Sequence, residues 1–321
     1  MKKFLIRLSL FTVLILVLAS VLDLIVTNLL QKSRQLDYGV WNDILHGKVN
    51  SDIVINGSSK AWVQVNTAII EERFKTTAYN IGLDAFGFNM QHCRHRLLLK
   101  YNKSPKLIIH VVDVNMFDDD SVLYNKNQFL PYLNNDIINH QIQSYDGLNL
   151  FDKNIPFYRY VGEQATLKHA SKILLRPDLN QPDKYRGFAG QHLGWTDDYA
   201  NARKQYPDGI LVQVYPVYVN LFKSYIADCI RRKIKIVVVY SPEFKAGQNF
   251  QRNSGDVLQL IENIASEYGI PFLNFRSDRN LEARKYYYNN NHLNAEGADI
   301  FTNLLCDKLE KNTVEINYIK E

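Results

Sequence analysis

Two short stretches carry residue types suited to acyl chemistry. In "SDIVINGSSKAW", residues 51–62, an apolar run climbs into Asn56-Gly57-Ser58-Ser59. A serine hydroxyl becomes a nucleophile when a tight turn holds it out beside a base and unclaimed backbone N–H groups. Small residues permit such a turn, and they equally make an ordinary strand-to-helix connection, so this stretch alone leaves both readings open. In "YYYNNNHLNAEGADIF", His292 stands just before a helix that Asn294 is placed to cap. A histidine in that place is a loop residue, or a general base if a hydroxyl lies within hydrogen-bond reach.

Positioning these residues requires a frame, and the chain spells out an alternating one. "SDIVING" reads as a first strand, "TTAYNIG" as a second and "PKLIIHVVDV" as a third. The near-continuous apolar run of the third is the pattern of a parallel strand buried on both faces. "IKIVVVYSPEF" reads as a fourth strand and "PFLNF" as a short fifth. Helical patterns separate them: "WVQVNTAIIEERF", "FNMQHCRHRLLLKYN", "SGDVLQLIENIASEYGI" with Ser254 placed as its cap and Gly269 near its end, and "NAEGADIFTNLLCDKLEKN". Strands alternating with helices of this size predict an α/β fold, a doubly wound parallel sheet of about five strands. Such sheets bind ligands beyond the carboxyl ends of their strands, where the serine falls. Residues 117–207 break the rhythm and read as an inserted lid or loop region.

Composition bounds the function. The chain has 321 residues, 46% hydrophobic and 22% charged, with a net charge of +5 spread rather than clustered. A nucleic-acid partner is not expected, because no basic stripe or recognition module is present. Cys93, Cys229 and Cys306 are far apart and form no ligand spacing, which predicts neither a structural zinc site nor a disulfide framework. No glycine-rich phosphate loop follows any strand.

The N-terminus is an organisational signal of its own. Lys2, Lys3 and Arg7 precede a nearly all-apolar run over residues 8–30. At ~1.5 Å per residue this run crosses a bilayer core of ~30 Å. The positive flank predicts a cytoplasmic N-terminus and an exported body. A cleaved signal peptide is the rival, with a shorter apolar stretch and a small-residue cleavage site; the run continues past "LAS", which favours an uncleaved anchor. The expected organisation is residues 1–34 as stub and anchor, 35–50 as connector, and 51–321 as one α/β domain with the insertion at about 117–207. Asp23 is expected near the headgroups, the alternative being a pairing with another helix.

Other polar residues have bland readings. His110 in "LIIHVVDV" reads as a core histidine. His192 and Trp195 in "GQHLGWTDD" line a sugar-binding lid or simply pack a loop. Glu243 in "YSPEF" ends the fourth strand within reach of the same sheet edge.

Taken in order, "GSS", "NIGLDAFG", "VVDVN" and "NHLNAEGA" resemble the four blocks of the SGNH (GDSL-like) hydrolase superfamily, over residues 51 to about 310. The similarity is greatest to membrane-anchored members, the DltD-like and AlgX/AlgJ-like proteins of cell-surface polymer acylation. The resemblance implies a flavodoxin-like three-layer fold and ester chemistry through a serine acyl-enzyme, with no cofactor. Residue by residue it implies Ser59 as nucleophile, with Ser58 in place of the usual aspartate, and His292 as general base. It implies the N–H groups of Ser59 and Gly82, with the Asn115 amide, as the oxyanion hole. Expected partners are an acylated glycan or other small acyl ester, the membrane through residues 8–30, and a multi-pass membrane protein that delivers acyl groups. One position departs from the pattern. Asn289 stands where an aspartate normally precedes the histidine by three. In serine proteases that Asp-to-Asn change costs ~10⁴ in turnover. The site is therefore expected to work as a Ser–His dyad, to draw a carboxylate from Asp84 or Asp113, or to be slow or inactive. An inactive domain that binds glycan or assists export is the rival function.

Overall fold

The computed structural model describes residues 1–119 and 121–311; the expected domain's last stretch, 312–321, lies outside the described residues. Among these, the chain forms two compact units, residues 1–42 with 121–183, and residues 43–119 with 184–311.

The first unit begins with the helix Lys2–Leu30, of mean hydropathy 2.6. Only Val26 and Leu30 of this helix are buried. It is long and apolar enough to cross a membrane, a criterion that an N-terminal signal sequence also meets. Its last turns are tied into the unit. Arg159 donates to both carboxylate oxygens of Asp23, at 2.9 and 2.5 Å, and Phe157 N–H donates to Oδ1 at 3.2 Å. The hydroxyls of Thr27 and Tyr160 meet at 2.7 Å. Asp23 thus has its counter-charge within this chain. The expected connector contains a helix, Leu36–Leu45. From it Trp41 packs edge-on against Phe129 at 5.5 Å and donates to Gln128 Oε1 at 3.0 Å. The region read as a loop-rich insertion holds the helices Asp136–Ile142, Leu150–Asn154, Gln164–Leu175 and Asp198–Gln205. They are short, which is why their periodicity is weak in the sequence.

The second unit is built on the five-stranded parallel sheet expected from the apolar runs, with helices on both sides. β1 is Ile53–Gly57, β2 Ala78–Asn80, β3 Leu107–Val112, β4 Lys235–Tyr240 and β5 Phe272–Asn274. Their order is β2-β1-β3-β4-β5, with Ile55 opposite Ile109 and Val111 opposite Val239. Every residue of β1 and β3 is buried, as the unbroken apolar runs require. Gly57 has φ +146°, and a Cβ there would lie 2.3 Å from the Val111 carbonyl oxygen. Only glycine lets the end of β1 pass β3 this closely and turn.

The stretch read as one helix after β1 is two, Ser59–Gln64 and Thr67–Phe74. Val65 is extended between them, and the Asn66 side chain restarts the helix by accepting from Ala68 N–H. The helix Ser254–Glu267 has Asn253, not Ser254, at its N-cap position, and the Ser254 hydroxyl donates instead to the Gln248 carbonyl. Asn294 does cap the last helix, Ala295–Lys311, by accepting from Gly297 N–H at 3.0 Å. His110 is a core histidine, its ring 5.5 Å from that of Phe88, and burial holds it neutral with a pKa of about 3. Cys93, Cys229 and Cys306 are all buried, and burial pushes each thiol up to about 12.

Candidate active site

Three chain segments converge at the carboxyl ends of β1 and β3. Ser59 is the first residue of the short helix that follows β1, and its Oγ lies 2.8 Å from Nε2 of His292. Ser58 caps that helix by accepting from Lys60 N–H, and its own hydroxyl donates to Asp113 Oδ2 at 2.5 Å. The other oxygen of Asp113 accepts the N–H of Asn115 at 2.8 Å. Asp113 therefore braces the loop after β3 against the serine turn. It is not a partner of the histidine.

His292 is held by Asn289. The Asn289 carbonyl oxygen accepts from the ring at Nδ1 (3.0 Å), from His292 N–H (2.9 Å) and from Asn291 N–H (3.0 Å). A carbonyl oxygen can only accept, so Nδ1 carries the proton. The lone pair of the neutral ring is then on Nε2, facing the serine hydroxyl. This is the tautomer a general base needs. Tyr288 stacks on the imidazole at 5.3 Å, the two ring planes nearly parallel. Burial, and after it the Lys60 charge, lower the His292 pKa to about 4 against the opposing pull of Glu243 and Asp198.

Behind Asn289 stands a carboxylate. Asn289 Nδ2 lies 3.4 Å from Asp198 Oδ2, which also accepts the Thr196 hydroxyl at 2.7 Å. The array runs Ser59, His292, Asn289, Asp198, with the amide between imidazole and carboxylate. Both ring nitrogens are engaged, by Ser59 and Asn289, so Asp84 and Asp113 do not supply the orienting carboxylate. Asp198 polarises the amide and favours the imidazolium from one residue further away. Asp198→Asn is expected to lower turnover by about 10-fold, the low end for losing a hydrogen bond to a charged group of ~1.5–3 kcal/mol. Steady-state kcat on a soluble ester checks this; an unchanged value would show the amide alone to be sufficient.

A pocket of roughly 220 Å³ opens over the serine, with Ala85, Asn115, Glu243, Gln251 and His292 in its lining. Gln251 Nε2 donates to Asn115 Oδ1 at 3.1 Å. This orients the Asn115 amide so that its NH₂ remains the group able to donate to an oxyanion. Gly82 does not serve as expected. Its N–H donates to Asn80 Oδ1 at 2.9 Å, and a Cβ there would lie 2.5 Å from Trp62 N. This glycine is a close-packing residue beside β2.

The backbone of the second block reaches the pocket instead at Ala85, which has φ +56°. A single alanine in the left-handed region costs ~1–2 kcal/mol. Ala85→Gly is expected to raise the unfolding free energy by about 0.5–1 kcal/mol, after the entropy glycine gains in the unfolded chain. Thermal unfolding of the detergent-solubilised chain checks it; a fall in stability would refute strain at this turn.

Glu243 lines the pocket but faces Lys60, not the histidine. Its Oε1 accepts from Lys60 Nζ at 2.5 Å and from the Tyr240 hydroxyl at 2.6 Å. The Lys60 and Glu243 side chains are 6% and 1% exposed, so this is a buried ion pair next to Ser59 in the chain. Trp195 packs against Phe244 at 5.0 Å with the Arg284 guanidinium 4.5 Å from its ring, which leaves loop packing rather than a sugar shelf. His192 is exposed on the same loop and does not line the pocket. Asp198, Lys60 and Gln251 are the site residues that sequence reasoning missed.

No family model and no curated protein matches the sequence. Among solved structures, an acetyl xylan esterase is similar over 81% of this chain and 98% of its own, at 11% identity and TM-score 0.40. A family two carbohydrate esterase from Clostridium thermocellum, in complex with cellohexaose, is similar over 81% of this chain and 63% of its own, at 10% identity and TM-score 0.36. Likenesses at this level carry no functional conclusion.

Proposed function

We propose that the protein is a membrane-anchored serine esterase or O-acyltransferase of the SGNH type, acting on acyl esters of surface glycans, chiefly acetyl esters. The observation that carries the reading is the Ser59 Oγ to His292 Nε2 hydrogen bond of 2.8 Å, with the tautomer set by Asn289. Ser59 Oγ attacks the ester carbonyl carbon as its proton passes to Nε2. The tetrahedral oxyanion is met by Ser59 N–H, for which no acceptor is seen among the described residues, and by the Asn115 amide. Collapse expels the alkoxide, which takes the proton from His292, and leaves the acyl group on Ser59. Water or a glycan hydroxyl then gives its proton to His292 and attacks the acyl-enzyme, which returns Ser59. No cofactor takes part in these steps.

In this reading the helix Lys2–Leu30 is the anchor, and the positive charges of Lys2, Lys3 and Arg7 in its first turns favour a cytoplasmic N-terminus with the catalytic unit outside. A multi-pass acyl-delivering membrane partner belongs to the transferase form of the reading. The test is incubation of the solubilised full chain with an acetylated oligosaccharide and a deacetylated acceptor. Acetate release marks the hydrolase and acceptor acetylation the transferase. Neither product from a folded protein that also fails to react with a fluorophosphonate would overturn the reading in favour of a glycan-binding accessory domain.

A further inference from the structure

We propose that residues 150–161 form a second membrane contact, an apolar collar that sits in the headgroup region around the exit of the anchor. The inference rests on the anchor reading above. The helix Lys2–Leu30 buries no residue from Phe4 to Leu22 and, save for Arg7 and the small hydroxyl residues Ser9, Thr12 and Ser20, is apolar there. This stretch is about 28 Å long at ~1.5 Å per residue, close to the ~30 Å hydrocarbon core, and the long Arg7 side chain near its cytoplasmic end is able to reach the headgroups. Asp23 therefore marks the outer boundary. Phe157 N–H and the Arg159 guanidinium bind this carboxylate directly, and Tyr160 binds Thr27 one turn later. These bonds fix the depth of the segment, placing it level with the end of the span.

The same segment turns its apolar side chains outward. Leu150 is 81% exposed, Phe151 54% and Val161 65%, with Ile155 and Tyr158 also exposed. The patch is continuous. The Phe151 and Tyr158 rings meet at 5.7 Å, Ile155 N–H bonds the Phe151 carbonyl, and Val161 N–H bonds the Tyr158 carbonyl. Its one acid is hidden, since Asp152 is buried in a capping box with Asn149. Exposed apolar groups contiguous with a span fit the interface, where aromatic rings and short amphipathic turns insert ~5–10 Å. The occupant is the bilayer itself: the paired Arg159 removes the charge cost of bringing Asp23 to that depth.

The test uses the full chain in phosphatidylcholine–phosphatidylglycerol nanodiscs, with a nitroxide on one introduced cysteine at a time. The positions are Leu14→Cys in the span, Phe151→Cys and Ile155→Cys in the collar, and Glu262→Cys on an exposed helix face. The native cysteines are buried. Collision with oxygen against a water-soluble nickel chelate reads the depth. The expected result is a ratio several-fold above that of position 262 at 14, 151 and 155 alike. A lipid-like value at 14 with water-like values at 151 and 155 overturns the collar and leaves the anchor standing. A water-like value at 14 overturns both.

Discussion

Ser59→Ala is expected to abolish fluorophosphonate labelling and to lower ester turnover by about 10⁶-fold, the scale seen when the serine of a Ser–His unit is removed. Nothing else in the pocket replaces it. Ser58 Oγ is committed to Asp113, and the lone pair of His292 points at Ser59. His292→Ala is expected to cost a similar factor, and the double variant scarcely more, because the two act as one unit. The pH profile is the second readout. His292 is a base only when unprotonated, and burial with the Lys60 charge lowers its pKa to about 4. Activity is therefore retained as pH falls below the ordinary histidine value of ~6.5 and is lost as pH passes through about 4. An acid limb of kcat/KM at 6.5 or above would place the working base elsewhere. Labelling that survives in Ser59→Ala would remove the acyl-enzyme altogether.

The parts of this site visible in the sequence are those that belong to a strand end. Ser59 and Asn115 follow long apolar runs, and such runs announce parallel strands because both faces are buried. His292 is visible because it precedes a cappable helix. What was hidden depends on long-range pairing. Asp198 lies 91 residues before Asn289, in a stretch without periodicity, and only the fold brings the two side chains together. In the sequence Lys60 is only a charged residue after the two serines; it is buried because Glu243, 183 residues later, supplies the counter-charge. Gly82 is the oxyanion donor that the family resemblance implies. Asn80 claims its N–H, and the turn that reaches the pocket comes three residues later, at Ala85. Backbone donors are specified by φ and ψ, and residue type constrains those loosely.

Glu243→Gln is expected to destabilise the fold by about 3–5 kcal/mol, because it leaves the buried Lys60 charge without its partner, and Lys60→Met by less, because Arg276 Nε still lies 3.9 Å from Glu243 Oε2. The combined variant is expected to lose less than either alone, since neither charge then remains. Gln at 243 still accepts the Tyr240 hydroxyl, which keeps that hydrogen bond out of the comparison. Burial by itself would raise the Glu243 pKa; the charge and hydrogen bond of Lys60, helped by Tyr240, hold it below the usual carboxylate value. The pair also acts on the base, and with opposite signs. Lys60 lowers the His292 pKa and Glu243 raises it. Lys60→Met should therefore move the acid limb of kcat/KM upward and Glu243→Gln should move it downward. A purely structural pair would alter stability and leave the limb in place. Opposite shifts would show instead that the ion pair tunes the base, so that a histidine without a direct aspartate stays unprotonated across the neutral range while a nearby carboxylate still favours the imidazolium formed during attack.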